Sequence, residues 1–397
     1  MITLPPGSTK PVPKFALFDL GFRPFFLGAG VFAVLSMAVW MAVYVFGWPL
    51  GTPSLSAVHW HAHEMIYGYG MAVIAGFLLT AVQNWTGLPT PHQGPLFALF
   101  SLWLVPRVLL LVEVPVGWAA LFDLAFNLAL VLAVGFPIIK AKRWKQLGVL
   151  AKVVLLGAGN ALFYLGALGA LAHGVGWGVY AGFYLIIALI LTMGKRLVPF
   201  FIERGVGYSV QLGVVKAADV VGLGLFLPFF VFEVFLGNRT VAAFFAVLLF
   251  ALHAWQWAGW HTQGIWKKPL LWGLYSAYGW VVVGFLLYAL AGLGLISSLL
   301  AVHAFAVGGI GLMTLSMMAR VTSGHGGRPV SSRSFIVFLS LLLVGSGAVV
   351  RVFLPLILPQ FYLFWMLLAQ TLWIVAFSLF LYVHWSTLFW KQISILG

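Results

Sequence analysis

The sequence holds no cysteine. That excludes disulfides, thiolate metal sites, iron–sulfur clusters and thiol nucleophiles together, so a bound transition metal has to take His, Met, Tyr or carboxylate ligands. Acidic residues are nearly as scarce, with 7 Asp plus Glu in 397 positions, and all charged residues together make up 7%. An ordinary soluble domain carries about a quarter. What fills the chain is apolar: 63% of residues are hydrophobic and the mean hydropathy is +1.09. No soluble fold has an interior able to hide that fraction, so the chain reads as an all-α integral membrane protein. Lys plus Arg number 21, for a formal charge of +14. These basic residues stand between apolar runs, where they act as insertion signals and not as a nucleic-acid-binding face.

Runs long enough to span a bilayer lie at about 24–47, 62–83, 95–113, 117–139, 148–172, 177–195, 213–236, 240–260, 271–292, 297–319, 335–354 and 360–386. About twelve transmembrane helices are expected, in a single polytopic domain over 1–397 with a cytoplasmic segment 1–23, a helical bundle 24–386 and a cytoplasmic tail 387–397. The first run is too long for a signal-peptide core and lacks a small-residue exit, so it reads as retained. Longer links are WTGLPTPHQGP, KRLVPFFIERGVGYSVQ and RVTSGHGGRPVSSRS. Lys10, Lys14 and Arg23 flank the start, and four even-numbered connections are basic: Lys140, Lys142, Arg143 and Lys145; Lys195, Arg196 and Arg204; Lys267 and Lys268; Arg320, Arg328 and Arg333. The odd-numbered connections carry almost none, Arg239 and Arg351 excepted. Both termini are therefore expected on the cytoplasmic side of a bacterial-type inner membrane.

The ten histidines sort by depth on this topology. His59, His61 and His63 enter the second helix from the outer face, His303 lies about two turns into the tenth, and His173 ends the fifth. His253 falls in the inner half of the eighth helix, and His92, His261, His325 and His384 lie towards the cytoplasm. The string His59-Trp60-His61-Ala62-His63-Glu64 is the most informative, because neutral imidazole is the commonest transition-metal ligand. As a helix it puts His59 and His63 on one face and His61 on the other. Glu64 can orient a ligating imidazole. An interfacial His/Trp belt is the competing reading of the same string.

Spacing relates the second and tenth helices. Pro89 follows His63 by 26 residues and Pro329 follows His303 by 26, while Gly68 and Gly308 each stand five after their His. His173 precedes Pro199 by the same 26. Internal four-helix repeats of this kind resemble the three-fold arrangement of haem–copper oxidases, with low-spin haem ligands on the second and tenth helices. The multiple-His signature of that family's binuclear centre is missing. Charged residues inside the spans, Arg107, Asp123, Asp219, Glu233 and Arg351, need buried partners. Met313, Met317 and Met318 read as packing.

Taken in order, LGFRPFFL (20–27), WHAHEM (60–65), AVIAGFLLTAVQNWTG (72–87), GKRLVPFF (194–201), LLWGLYSAYGW (270–280), LAVHAFAVGGIGLMT (300–314), MARVTSGHGGRPV (318–330) and LWIVAFSLFLY (372–382) resemble the NnrS family of membrane proteins through most of the chain. The resemblance implies a haem- and copper-containing inner-membrane protein tied to nitric oxide and nitrosative stress, often in denitrifying bacteria. The family's histidines fall on His61, His63, His253, His303 and His325; His59 is an addition here. The basic residue that usually follows the eighth-helix His is replaced in His253-Ala-Trp-Gln-Trp-Ala-Gly-Trp-His261.

These readings combine into one expectation. A b-type haem sits in the outer half, held by His63 and His303, with His61, His59 or Glu64 available to copper or to support, and His253 as a further metal candidate. Arg23, Arg107 and Arg351 are candidate clamps for haem propionates, although Arg–Asp pairs between helices explain them equally well. Such a centre serves an oxidoreductase acting on nitric oxide or a nitrosyl species, fed by a quinol or cytochrome donor. Two other classes stay open: a transporter of a small metal or nitrosyl species, signalled by helices broken at Gly222-Leu-Gly224 or Gly308-Gly309-Ile-Gly311, and a nitric oxide sensor.

Overall fold

In hydrocarbon a backbone has no water to bond, so every apolar run must satisfy its own N–H and C=O groups as helix. The structure is a computed structural model and describes residues 15–50, 55–213, 216–325 and 335–391. In chain order the helices are α1 (Phe22–Tyr44), α2 (Ala57–Thr86), α3 (Gln93–Leu109), α4 (Val116–Lys140), α5 (Leu147–Ala167) and α6 (Gly174–Gly205). The second half holds α7 (Lys216–Val234), α8 (Arg239–Gly259), α9 (Pro269–Gly292), α10 (Ser298–His325), α11 (Phe335–Val352) and α12 (Tyr362–Phe389). Each expected span is met by one helix. Ten stretches are long and apolar enough to cross a membrane, and shorter apolar stretches lie in α3 and α7. Among the described residues there is no strand, only an isolated antiparallel bridge between Phe15 and Trp390.

Two strings expected as links are partly helical. α6 continues through Pro199 to Gly205, and α10 continues to His325. A proline inside a helix removes one hydrogen bond without ending it when neighbours hold the backbone. The added turns carry cations that fold back on rings: Arg204 lies 4.5 Å from the centre of Phe200 and Arg320 lies 4.1 Å from that of Phe201. The bundle thus has two distinct ends. At one, the Phe22 ring meets His325 at 5.0 Å; at the other, the hydroxyls of Tyr44 and Tyr362 approach to 3.5 Å. The basic connections fall at the first end. Lys10, Lys14, Arg328, Arg333 and Pro329, named above, lie outside the described residues, as does the side chain of Asp219.

The packing is that of a membrane protein. Along α4, Leu121, Leu128, Leu132 and Phe136 are exposed, while Asp123, Phe126, Leu130 and Val134 are fully buried. The apolar face looks outward and the polar groups inward. Where helices touch most closely, glycine makes room. A Cβ on Gly166 would sit 2.2 Å from the Val175 nitrogen, and one on Gly178 would sit 2.5 Å from the Phe163 nitrogen, so α5 and α6 pack backbone to backbone. Gly166→Val is expected to lower thermal stability in detergent by about 1–3 kcal/mol, and unfolding at the wild-type midpoint would contradict this close contact.

Two helices carry a further irregularity that periodicity does not show. α2 turns π-helical over Glu64–Gly70 and α10 over Ala304–Gly311, each beginning one residue after the matched His63 or His303. Such wide turns redirect side chains and free carbonyls. In α2 the Gly68 carbonyl accepts from Trp103 Nε1 at 2.9 Å. The correspondence between the second and tenth helices is therefore present in backbone geometry. The third copy is not: His173 stands in a connection, and α6 is α-helical throughout.

Candidate functional site

On α2, Ser56 caps the first turn by accepting from the His59 backbone nitrogen at 3.2 Å, and helix begins at Ala57. His59 is exposed, His61 half-buried and His63 fully buried. Two residues along an α-helix rotate a side chain by about 200°, so His61 and His63 serve opposite sides of the same helix.

The His63 side is a closed ion-pair network. His63 Nδ1 lies 2.8 Å from Glu64 Oε1, and Nε2 lies 3.0 Å from Asn160 Oδ1. Asn160 Nδ2 donates to Asp123 Oδ2 at 3.1 Å, which fixes the amide so that its oxygen faces the imidazole. Tyr164 donates to the same carboxylate oxygen at 3.0 Å. Arg107 bridges both acids, 2.8 Å from Glu64 and 2.6 Å from Asp123. Phe163 stacks on His63 with ring centres 4.2 Å apart. Every member is at most 2% exposed. The place a metal ion would take between the carboxylates belongs to the Arg107 guanidinium, and both His63 nitrogens are turned to acceptors.

The His61 side is open in the chemical sense. His61 stacks on Trp40 of α1, with ring centres 4.3 Å apart and planes within 5°. Its Nδ1 is buried and has no hydrogen-bond partner among the described residues. Across from α2, His303 of α10 donates from Nδ1 to the Leu299 carbonyl at 2.7 Å, so its Nε2 carries the lone pair. Arg351 of α11 donates to that Nε2 at 3.2 Å. His61, His303 and Arg351 lie within electrostatic reach of one another. Tyr362 of α12, whose hydroxyl approaches that of Tyr44 at 3.5 Å, lies within electrostatic reach of Arg351. Arg351 has no carboxylate partner among the described residues, in contrast to its counterpart Arg107.

The structure does not bring His63, the expected partner, to His303. The histidine of α2 that faces His303 is His61, because the two-residue offset turns His63 the other way into its own network. Arg107 is spent on Glu64 and Asp123, the Arg–Asp alternative. Arg23 caps the opposite end of the bundle, donating to the carbonyls of Thr387 at 2.9 Å and Trp390 at 3.2 Å, so it cannot reach an outer-half site. His253 is held within the second half by Gln256 at 3.0 Å and Tyr278 at 2.9 Å, remote from α2 in the fold. His59 is exposed. Of the candidates, His61, His303 and Arg351 lie near one another, and His61 among them keeps a buried ring nitrogen with no partner among the described residues.

Asn160, Tyr164, Trp40, Tyr44 and Tyr362 complete the two clusters, and the sequence reading missed them. Asn160 carried a signal, a lone amide in an apolar run, which needs a partner in the membrane interior. Aromatic residues near helix ends are too common for the others to stand out. α7 runs unbroken through Gly222–Gly224, and α10 stays helical through Gly308–Gly311, so the broken-helix signature of a transporter is not found among the described residues.

Two imidazoles and one guanidinium fit a group that brings its own equatorial ligands, as a porphyrin does, and leaves axial positions to the protein. Copper fits less well: no group of three or more His, Asp or Glu side chains able to hold a metal ion is found among the described residues. Compared with known families, the chain matches the profile described as NnrS protein over residues 16–391. No curated protein matches it.

Proposed function

Starting from a chain that belongs to the NnrS family, and so from a multi-pass membrane protein of the nitric oxide response, we propose that it carries a b-type haem between His61 and His303 in a bacterial inner membrane. The observation that carries this reading is the convergence of the two imidazoles on Arg351, each with a nitrogen not held by a carbonyl or carboxylate. The chain's part is orientation. The Leu299 carbonyl holds the Nδ1 proton of His303, which fixes the tautomer and leaves the lone pair on Nε2. Trp40 fixes the plane of His61. Arg351 supplies a half-buried positive charge for a carboxylate of the ligand. A haem held by His61 and His303 would supply an iron centre able to exchange single electrons and to react with nitric oxide. No step is assigned to copper.

The test is a reduced-minus-oxidised absorption spectrum of the purified protein. Wild type and His59→Ala should both show a Soret band, and His61→Ala and His303→Ala should each lose most of it while remaining folded. A wild type without the band, or a band indifferent to both substitutions, removes the proposal.

A further inference from the structure

A second polar chamber lies at the outer end, away from the Arg351 cluster. It is a cavity of ≈ 440 Å³ lined by Tyr180 and Tyr184 of α6, Glu233 of α7, Arg239 of α8, Tyr288 of α9 and Ser298 of α10, with Val302 in its wall. Glu233 accepts from the Tyr288 hydroxyl. Tyr180 stacks on Tyr184 at 6.3 Å, and Tyr184 and Tyr288 both pack edge-on against Phe229, at 5.1 and 5.0 Å. Tyr184 and Tyr288 are almost fully buried, whereas Tyr180 is 37% exposed at the rim. Leu236 and Leu299, chain neighbours of lining residues, are exposed, 61% and 52%. The chamber therefore opens among lipid-facing apolar groups and ends at a carboxylate.

We propose that this chamber binds the headgroup of a membrane quinol. Its parts match the chemistry of a dihydroxy aromatic ring with an apolar tail. Phenol rings supply faces for stacking, the Glu233 carboxylate accepts from one ring hydroxyl, and Ser298 or Arg239 donates to the opposite oxygen. The tail leaves past Leu236 and Leu299 into lipid. Val302 joins the chamber directly to His303, and Phe305, 6.3 Å from Tyr184 by ring centres, carries the wall back to α10. Glu233 is placed to accept a proton from the ring hydroxyl it faces. Binding of the headgroup rests on these lining groups alone and not on the function proposed above.

The experiment measures quinone retained by protein purified into lipid nanodiscs, by extraction and chromatography, and the affinity for added short-chain ubiquinone by quenching of tryptophan fluorescence. Wild type and His59→Ala are expected to retain and bind quinone alike, and Glu233→Gln and Tyr288→Phe to weaken binding about tenfold. Binding that is absent from wild type, or unchanged in Glu233→Gln and Tyr288→Phe together, overturns the proposal, as does a chamber filled by phospholipid that added ubiquinone fails to displace. Loss of the Soret band with quinone binding intact sinks the haem assignment alone; an intact band without quinone binding sinks the chamber alone.

Discussion

Arg107→Ala should destabilise the protein by about 3–5 kcal/mol, the cost of breaking a buried ion pair from one side. The guanidinium touches Glu64 at 2.8 Å and Asp123 at 2.6 Å, and all three are at most 2% exposed. Its removal leaves two carboxylates in a low-dielectric interior without their shared cation. Total stabilities of folded domains are about 5–15 kcal/mol, so low yield and early thermal unfolding in detergent are the expected signs. Replacing the charges together, Glu64→Gln with Arg107→Met and Asp123→Asn, should cost far less, because no lone charge remains. Should the single variant melt with wild type, or the triple variant melt below it, the network is not what holds α2, α3 and α4 together.

The second large effect is expected at the glycines of the two π-helical turns. A Cβ on Gly68 would lie 2.5 Å from Phe32, 2.9 Å from Arg107 Nη1 and 3.1 Å from Glu64 Oε2. A Cβ on Gly308 would lie 2.3 Å from Trp280. Overpacking alone costs about 1–3 kcal/mol. Gly68→Val adds displacement of the Arg107–Glu64 pair, so it should cost more than Gly308→Val, whose neighbour is apolar. Thermal unfolding of the two variants side by side checks the order; equal or reversed losses would show that Gly68 is not packed against the ion pair.

The spans were legible because hydrocarbon imposes a single rule on backbone, and the boundaries of α4 and α9 fall within two residues of the apolar runs. The ends of α6 and α10 were not, since helix persists past the apolar band wherever arginines can fold back on Phe200 and Phe201. Matched spacing of His63 and His303 pointed to related helices, but spacing along a chain does not say which face of α2 looks at α10. That facing is set by π-helical turns and by contacts with Trp40, Asn160 and Arg351, residues distant in sequence. Arg23, Arg107 and Arg351 look alike as isolated charges in apolar runs. Three different partners, carbonyls, carboxylates and an imidazole, give them three different roles.

The clasp between the two ends of the chain bears on biosynthesis. Arg23 binds the Thr387 carbonyl across 364 positions, and Trp373 of α12 donates to the Ala33 carbonyl of α1 at 3.2 Å. At translation speeds of about 5–20 residues per second, the first helix waits roughly 20–70 s for the last. Until then the face of α1 around Gly30 and Ala33, which meets Phe380, Leu381 and Trp373, is without its wall, and the guanidinium of Arg23 lacks its acceptors. Lipid or an insertion chaperone has to cover that face in the interval, and ribosomes that stop early release a chain whose opening helix has lost its closing neighbour.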